Sequence, residues 1–204
     1  SEKLIMNAAL GATKSLFSCV RFGNVLNSSG SVAQIFAEQI QNGEEVTITS
    51  REMTRFIMSA DDVTALVLKA CHEMQGREIF LLKMRSLRIV DLAEVMIEEL
   101  APRFGKDPEA IRLHEIGVRP GEKVHEELIS ETEARYVQDR GDMYILKSGL
   151  FLPTLVECPT ETKLFRGPFT SRDAAKLTKE EIRNLLTETG ILKPIVQPAR
   201  LEAN

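Results

Sequence analysis

No stretch of about eighteen consecutive apolar residues occurs in the 204-residue sequence, so it holds no segment able to cross a membrane as a helix. Cysteine is sparse. Cys19, Cys71 and Cys158 are odd in number and far apart, which argues against a disulfide framework or a cysteine metal site and suits reduced thiols in a cytoplasmic protein. A basic surplus is missing too: 26 Lys and Arg stand against 30 Asp and Glu, a net charge of −4. A nucleic-acid binder would carry a basic face, so no such partner is expected. His72, His114 and His125 lack the spacing of metal ligands, and there is no internal repeat or low-complexity tract. What remains, 43% hydrophobic and 27% charged residues, is the composition of a globular chain with a substantial core.

The apolar pattern alternates between helix and strand periods. Leu4, Ile5, Ala8 and Ala9 share one helical face, and Gly11 marks a stop. Residues 18–22 read as a strand, and Val32, Ile35, Phe36 and Ile40 as a helix closed by Asn42-Gly43. Short β-branched or apolar strands follow at 46–49 and 56–58. Asp61 or Asp62 is placed to cap a helix bearing Val63, Leu66, Val67, Ala70 and Met74. Residues 79–82 are a continuous apolar run, as in a parallel strand covered on both faces.

Leu92, Ala93, Met96, Ile97 and Leu100 form the inner stripe of a helix over 90–100. A strand at 112–116, a turn at 117–121 and a helix over 122–129 come next, with Glu126 and Glu127 as solvated charges on that helix. Residues 142–147 read as a last strand, and 148–171, with Pro153, Pro159 and Pro168, as an irregular surface stretch. Thr178 and Glu181 make a capping box before a helix striped by Ile182, Leu185 and Leu186. Gly190 stops that helix, and the tail from Pro194 is expected to fray. Strands alternating with helices define an α/β class.

The chain is organised around Val20 to Val32, read Val-Arg-Phe-Gly-Asn-Val-Leu-Asn-Ser-Ser-Gly-Ser-Val. A strand that ends in small polar residues and opens a helix offers free backbone N–H groups to an anion. An ordinary βα turn with a serine cap would read the same way. Asn24 is placed either to meet a ligand at the strand's carboxyl end or to bond its own backbone as a turn-former. Taken alone, Arg55 reads as a solvated charge. Arg119 and Glu122, on one Pro120-Gly121 turn, project to the same side and read alone as a structural ion pair.

Three segments in order carry a resemblance: Arg21-Phe22-Gly23-Asn24-Val25 followed by Gly30-Ser31-Val32, then Glu52-Met53-Thr54-Arg55-Phe56, then Gly117-Val118-Arg119-Pro120-Gly121-Glu122-Lys123. Together they resemble the extended short-chain dehydrogenases/reductases of the polysaccharide-biosynthesis branch, which contains UDP-N-acetylglucosamine 4,6-dehydratases and nucleotide-sugar 4-epimerases. The resemblance extends over nearly all of the chain. It implies the C-terminal half of a Rossmann-type parallel sheet plus a small α/β substrate-binding domain. Residues 1–83 would belong to the Rossmann part, with 43–60 lent to the substrate domain. Residues 84–190 would form the nucleotide-sugar-binding domain and 191–204 a tail.

The same resemblance implies roles for particular residues. Asn24 would donate to the diphosphate of a UDP-sugar, and Ser31 and Val32 would contact diphosphate and sugar. Thr47 and Thr49 would flank the uracil, mainly through backbone groups. Arg55 and Arg119 would bind the phosphates, for which a guanidinium fork is suited. Glu122 would hold the ribose hydroxyls, and Phe22 and Gly23 would lie near the nicotinamide of NAD or NADP.

In such enzymes hydride passes from C4 of the sugar to the nicotinamide. A dehydratase then loses water across C5 and C6, whereas an epimerase returns the hydride to the other face of C4. A Tyr activated by a Lys in Tyr-x-x-x-Lys serves as base. The sequence has no Gly-x-x-Gly-x-x-Gly loop, and neither Tyr136 nor Tyr144 has Lys four residues on, so no residue is assigned a catalytic role. The expectation is the UDP-sugar-binding portion of a longer, homo-oligomeric NAD(P)-dependent enzyme, first a UDP-N-acetylglucosamine 4,6-dehydratase. A UDP-sugar 4-epimerase and a non-catalytic nucleotide-sugar-binding fragment are the alternatives. A half sheet is expected to leave apolar strands around 79–82 uncovered.

Overall fold

The computed structural model describes residues 2–12, 14–28, 30–147, 165 and 167–192. Strands β1 (Cys19–Arg21), β5 (Glu78–Leu82), β9 (Val137–Asp139) and β10 (Met143–Lys147) form one sheet in the order β1-β5-β10-β9. β1 and β5 run parallel, and β10 is antiparallel to both of its neighbours. The apolar run of β5 divides between two faces. Ile79 and Leu81 pack with Met6 of α1 (Glu2–Gly11), Ile129 and Leu146, while Phe80 packs with Leu66 and Ala70 of α3 (Ala60–Glu73), Met143 and Ile145. A period of two on a sheet covered from both sides is why the run shows no polar alternation.

The expected uncovering at 79–82 is therefore not found: Ile79 is 5% exposed and Phe80 and Leu81 0%. Apolar surface lies instead at Leu4, Leu16, Phe22 and Leu68. The opening helix forms as expected, but it buries Met6 rather than the stripe of Leu4, Ile5 and Ala8.

A second group of elements packs beside this sheet. β2 (Asn24–Val25), β4 (Thr54–Met58) and β6 (Ser86–Arg88) make a three-stranded sheet, and β3 (Val46–Ile48) pairs in parallel with β7 (Leu113–Glu115). Helices α2 (Val32–Asn42), α4 (Ile89–Leu100) and α6 (Lys179–Glu188) enclose a core that includes Phe36, Ile40, Ile48, Leu92, Met96, Ile182 and Leu186. All five residues of the predicted α4 stripe are buried. Local chemistry fixes the helix ends. Gly43, at φ 73°, closes α2 in the left-handed conformation that glycine adopts without penalty. Thr178 and Glu181 form the predicted capping box of α6.

The α/β class holds, with one parallel pair in each of three sheets. Several local expectations do not. The cap of α3 is Ser59, with Asp62 reciprocating to its N–H, rather than Asp61 or Asp62. Residues 122–129 are not a helix: Glu127–Ile129 is strand β8, antiparallel to β11 (Phe169–Thr170), preceded by an irregular run. Residues 137–147 of the segment assigned to the substrate domain pair into the sheet of β5. The prolines at 153 and 159, Cys158 and the tail from Pro194 lie outside the described residues. Among the described residues no helix is long and apolar enough to cross a membrane, and no cluster of His, Cys, Asp or Glu could hold a metal ion.

Candidate functional site

The stretch after β1 steps from one sheet to the other. Arg21 ends β1, and Asn24 and Val25 then pair with Ile57 and Met58 of β4. Gly23 makes the step possible: a Cβ there would lie 2.7 Å from both the Cβ and the carbonyl oxygen of Phe56. Only a residue without a side chain allows two backbones to pass so closely.

Beyond β2 the chain turns through Leu26, whose N–H donates to the Met58 carbonyl at 3.3 Å, and through Asn27 in the left-handed region at φ 63°. Ser31 stands at the N-cap of α2, yet its hydroxyl makes no capping bond, and Ser31 Oγ is buried without a partner among the described residues. A buried hydroxyl of this kind is a standing opportunity for a ligand.

These turns line one side of a cavity of about 410 Å³. Asn24, Ser31, Val32, Thr47, Thr49, Arg55 and Glu122 all reach it, over apolar walls that include Phe36, Ile48, Met53, Ile57 and Ile89. An apolar cavity with a few convergent polar groups is the usual form of a small-molecule site. Of the residues expected to meet a UDP-sugar, Arg119 alone stays outside it: it is exposed, and among the described residues no ion pair joins it to Glu122. The two are linked through the backbone of their turn, Glu122 N–H to the Arg119 carbonyl at 3.0 Å and Arg119 N–H to Glu122 Oε2 at 3.4 Å.

The polar groups are not equally free. Thr47 donates its N–H to Gln39 Oε1 at 3.1 Å and its hydroxyl lies 2.8 Å from Gln39 Nε2, so α2 already uses both. Arg55 Nη1 donates to the carbonyls of Thr54 at 2.8 Å and Val124 at 3.1 Å, while its Nε lies 3.8 Å from Glu126 Oε1. Its Nη2 has no partner among the described residues, so the guanidinium is oriented but not exhausted.

Glu126, expected as a solvated charge on a helix, is instead half-buried and central. Its carboxylate accepts from Asn24 Nδ2 at 2.9 and 3.1 Å and from the Phe56 N–H at 2.9 Å. Its own N–H donates to the hydroxyl of Ser171 at 2.8 Å, and Ser171 and His125 Nδ1 both contact Thr54 Oγ1, at 2.7 and 2.8 Å. These ties bind residues 124–126 to β4 in an irregular run where helix propensity would curl them. Phe22 is 47% exposed. The space where a side chain of Gly23 would lie is filled by Phe56.

Known proteins resemble this chain in sequence and fold. Residues 1–148 match the family described as polysaccharide biosynthesis protein, and the chain belongs to that family. An uncharacterized membrane protein of Methanocaldococcus jannaschii is 47% identical over 194 residues, covering 94% of this chain and 56% of its own length. A UDP-glucose 4-epimerase of Rickettsia canadensis is 35% identical over 191 residues, 91% of this chain and 54% of the relative. A UDP-N-acetylglucosamine 4,6-dehydratase (inverting) of Campylobacter jejuni is 33% identical over 153 residues, 74% of this chain and 42% of the relative. The X-ray structure of Pen from Bacillus thuringiensis superposes with a TM-score of 0.80 at 36% identity, covering 93% of this chain and 55% of that one. The chain spans about half the length of the curated relatives it matches.

Proposed function

We propose that this chain is the UDP-sugar-binding portion of an NAD(P)-dependent nucleotide-sugar-modifying enzyme, a UDP-N-acetylglucosamine 4,6-dehydratase of polysaccharide biosynthesis. The observation that carries the reading is convergence. Asn24, Ser31, Val32, Thr47, Thr49, Arg55 and Glu122, drawn from three separate stretches of sequence, meet at one cavity of about 410 Å³, a size suited to a nucleotide-sugar. Ser31 Oγ and Arg55 Nη2 are groups left to bind a diphosphate, and Arg119 lies outside the cavity lining, three residues before Glu122, which reaches it. A UDP-sugar 4-epimerase is the second reading, favoured by the Rickettsia relative, which matches 91% of this chain against 74% for the dehydratase. NAD or NADP as cofactor, a cytoplasmic location and homo-oligomeric assembly belong to the same proposal and rest on the resemblance.

Arg119 provides the test. If it binds the diphosphate, Arg119→Ala weakens UDP affinity by about 1.5–3 kcal/mol, roughly ten- to a hundredfold. The melting temperature stays unchanged, because no side-chain partner is lost. Arg119→Lys recovers part of the loss, keeping the charge but not the fork. Calorimetric titration with UDP beside a thermal melt separates binding from folding. Unaltered UDP binding in Arg119→Ala would remove Arg119 from the site.

A further inference from the structure

Asn24 and Glu126 form a unit that changes what the cavity offers. Asn24 Nδ2 lies 3.1 Å from the carbonyl oxygen of Phe56 and 2.9 and 3.1 Å from the two carboxylate oxygens of Glu126. Turning the amide over would set Oδ1 against three acceptor oxygens, so the partners dictate its orientation. Both amide hydrogens are thereby used within the protein. Oδ1 is left as the one hydrogen-bonding atom of this side chain without a partner among the described residues.

Glu126 is itself pinned. Its Oε2 accepts the Phe56 N–H at 2.9 Å, its own N–H donates at 2.8 Å to the hydroxyl of Ser171, which is 0% exposed, and Arg55 stands beside it. The backbone bond to Ser171 fixes where the side chain starts, and the carboxylate cannot swing away to release the amide without also breaking the bond from the Phe56 N–H.

A carbonyl oxygen repels a phosphate oxygen but accepts from a hydroxyl or an N–H. We propose that Asn24 reads a hydrogen-bond donor on the sugar through Oδ1, and that Glu126 is the positioning residue that holds the amide in this sense. The proposal rests on the UDP-sugar reading above and moves Asn24 from the diphosphate, where the resemblance put it, to the sugar. Position agrees: Asn24 belongs to the sheet of β2, β4 and β6, whereas Thr47 and Thr49, assigned to the uracil, lie on and just after β3 in the other sheet.

The test is calorimetric titration of the protein with UDP, UDP-glucose and UDP-N-acetylglucosamine, using wild type, Asn24→Ala, Glu126→Gln and the double variant. The ratio of the UDP to the UDP-sugar dissociation constant isolates the sugar's contribution. Asn24→Ala is expected to lower that ratio about three- to tenfold, the scale of one hydrogen bond, with UDP affinity itself unchanged. A fall for both sugars identifies a hydroxyl as the donor; a fall for UDP-N-acetylglucosamine alone identifies the acetamido N–H. Glu126→Gln keeps the shape but turns an NH₂ toward Asn24 Nδ2, undoing the orientation, so the ratio falls similarly.

The double variant should fall no further than Asn24→Ala alone, because both changes act through one amide. A purely structural carboxylate would lower the melting temperature and leave the ratio intact. If Glu126→Gln does not fold, Glu126→Asp, which withdraws both oxygens by one methylene, gives the same test. An equal loss for UDP and UDP-sugars in Asn24→Ala returns Asn24 to the diphosphate, and additive losses in the double variant remove Glu126 as its positioner. Failure of wild type to bind any of the three overturns the UDP-sugar reading itself, and this proposal with it.

Discussion

Gly23 illustrates how one residue can owe its identity to packing. The resemblance assigned it to the nicotinamide edge, yet its place against Phe56 already demands glycine: an added Cβ would sit 2.7 Å from a backbone oxygen that cannot move without β4. Gly23→Ala should therefore destabilise the fold by about 1–3 kcal/mol, the usual cost of forcing extra atoms into packed space. Urea denaturation measures this, and a variant as stable as wild type would show that the two strands can part. Asn24, Arg55 and Glu122 were legible in the sequence because each sits in a short motif. Glu126 was not. Its partners Asn24 and Phe56 lie 102 and 70 residues away, and nothing local marks a glutamate that will be claimed by a distant amide.

Elements were legible in proportion to how local their causes are. Helix α4 announces itself by an apolar stripe, and α6 by a capping box within its first turn. β6 and β8 have three residues each and exist because a remote strand pairs with them, so no periodicity betrays them. The elements are also tied by charge. Arg21 at the end of β1 donates to Glu2 of α1 at 2.7 and 2.8 Å, to Glu133 of α5 (Glu131–Ala134) at 2.7 and 3.1 Å, and to the Leu128 carbonyl of β8 at 2.6 Å.

Burial pushes the Glu133 carboxyl up, but hydrogen bonds from Arg21 and Ser130 prevail and hold it below its ordinary 4.5. A carboxyl depressed on folding contributes stability that is fully present above its unfolded value and is lost as pH falls through the folded one. Arg21→Met should cost about 3 kcal/mol at neutral pH, since it strands Glu133 where only 14% of its side chain meets water. It should also remove the Glu133 share of the stability that wild type loses below about pH 5. Thermal melts from pH 7 to about pH 3 check both. Parallel pH profiles for wild type and variant would mean that Glu133 does not depend on Arg21.

At the scale of the molecule the two ligands of the proposed reaction make unequal demands on these 204 residues. The cavity proposed for the UDP-sugar is lined by residues between Asn24 and Glu122, all within the described residues. A dinucleotide needs something else: a glycine-rich turn after a strand, with its pyrophosphate against the N-terminus of the helix that follows. One polar turn from a strand to a helix runs into α2, and it lines the cavity proposed for the UDP-sugar. The residues assigned to the cofactor are Phe22, 47% exposed, and Gly23, closed off by Phe56. These 204 residues should thus bind UDP while giving no saturable heat with NAD or NADP up to about millimolar concentration, weaker than about 4 kcal/mol of binding free energy. Titrating the same preparation with all three nucleotides makes UDP the control for folding. Micromolar NAD(P) binding that Phe22→Ala abolishes would show that a dinucleotide site is complete here after all, built on a turn other than a glycine-rich one.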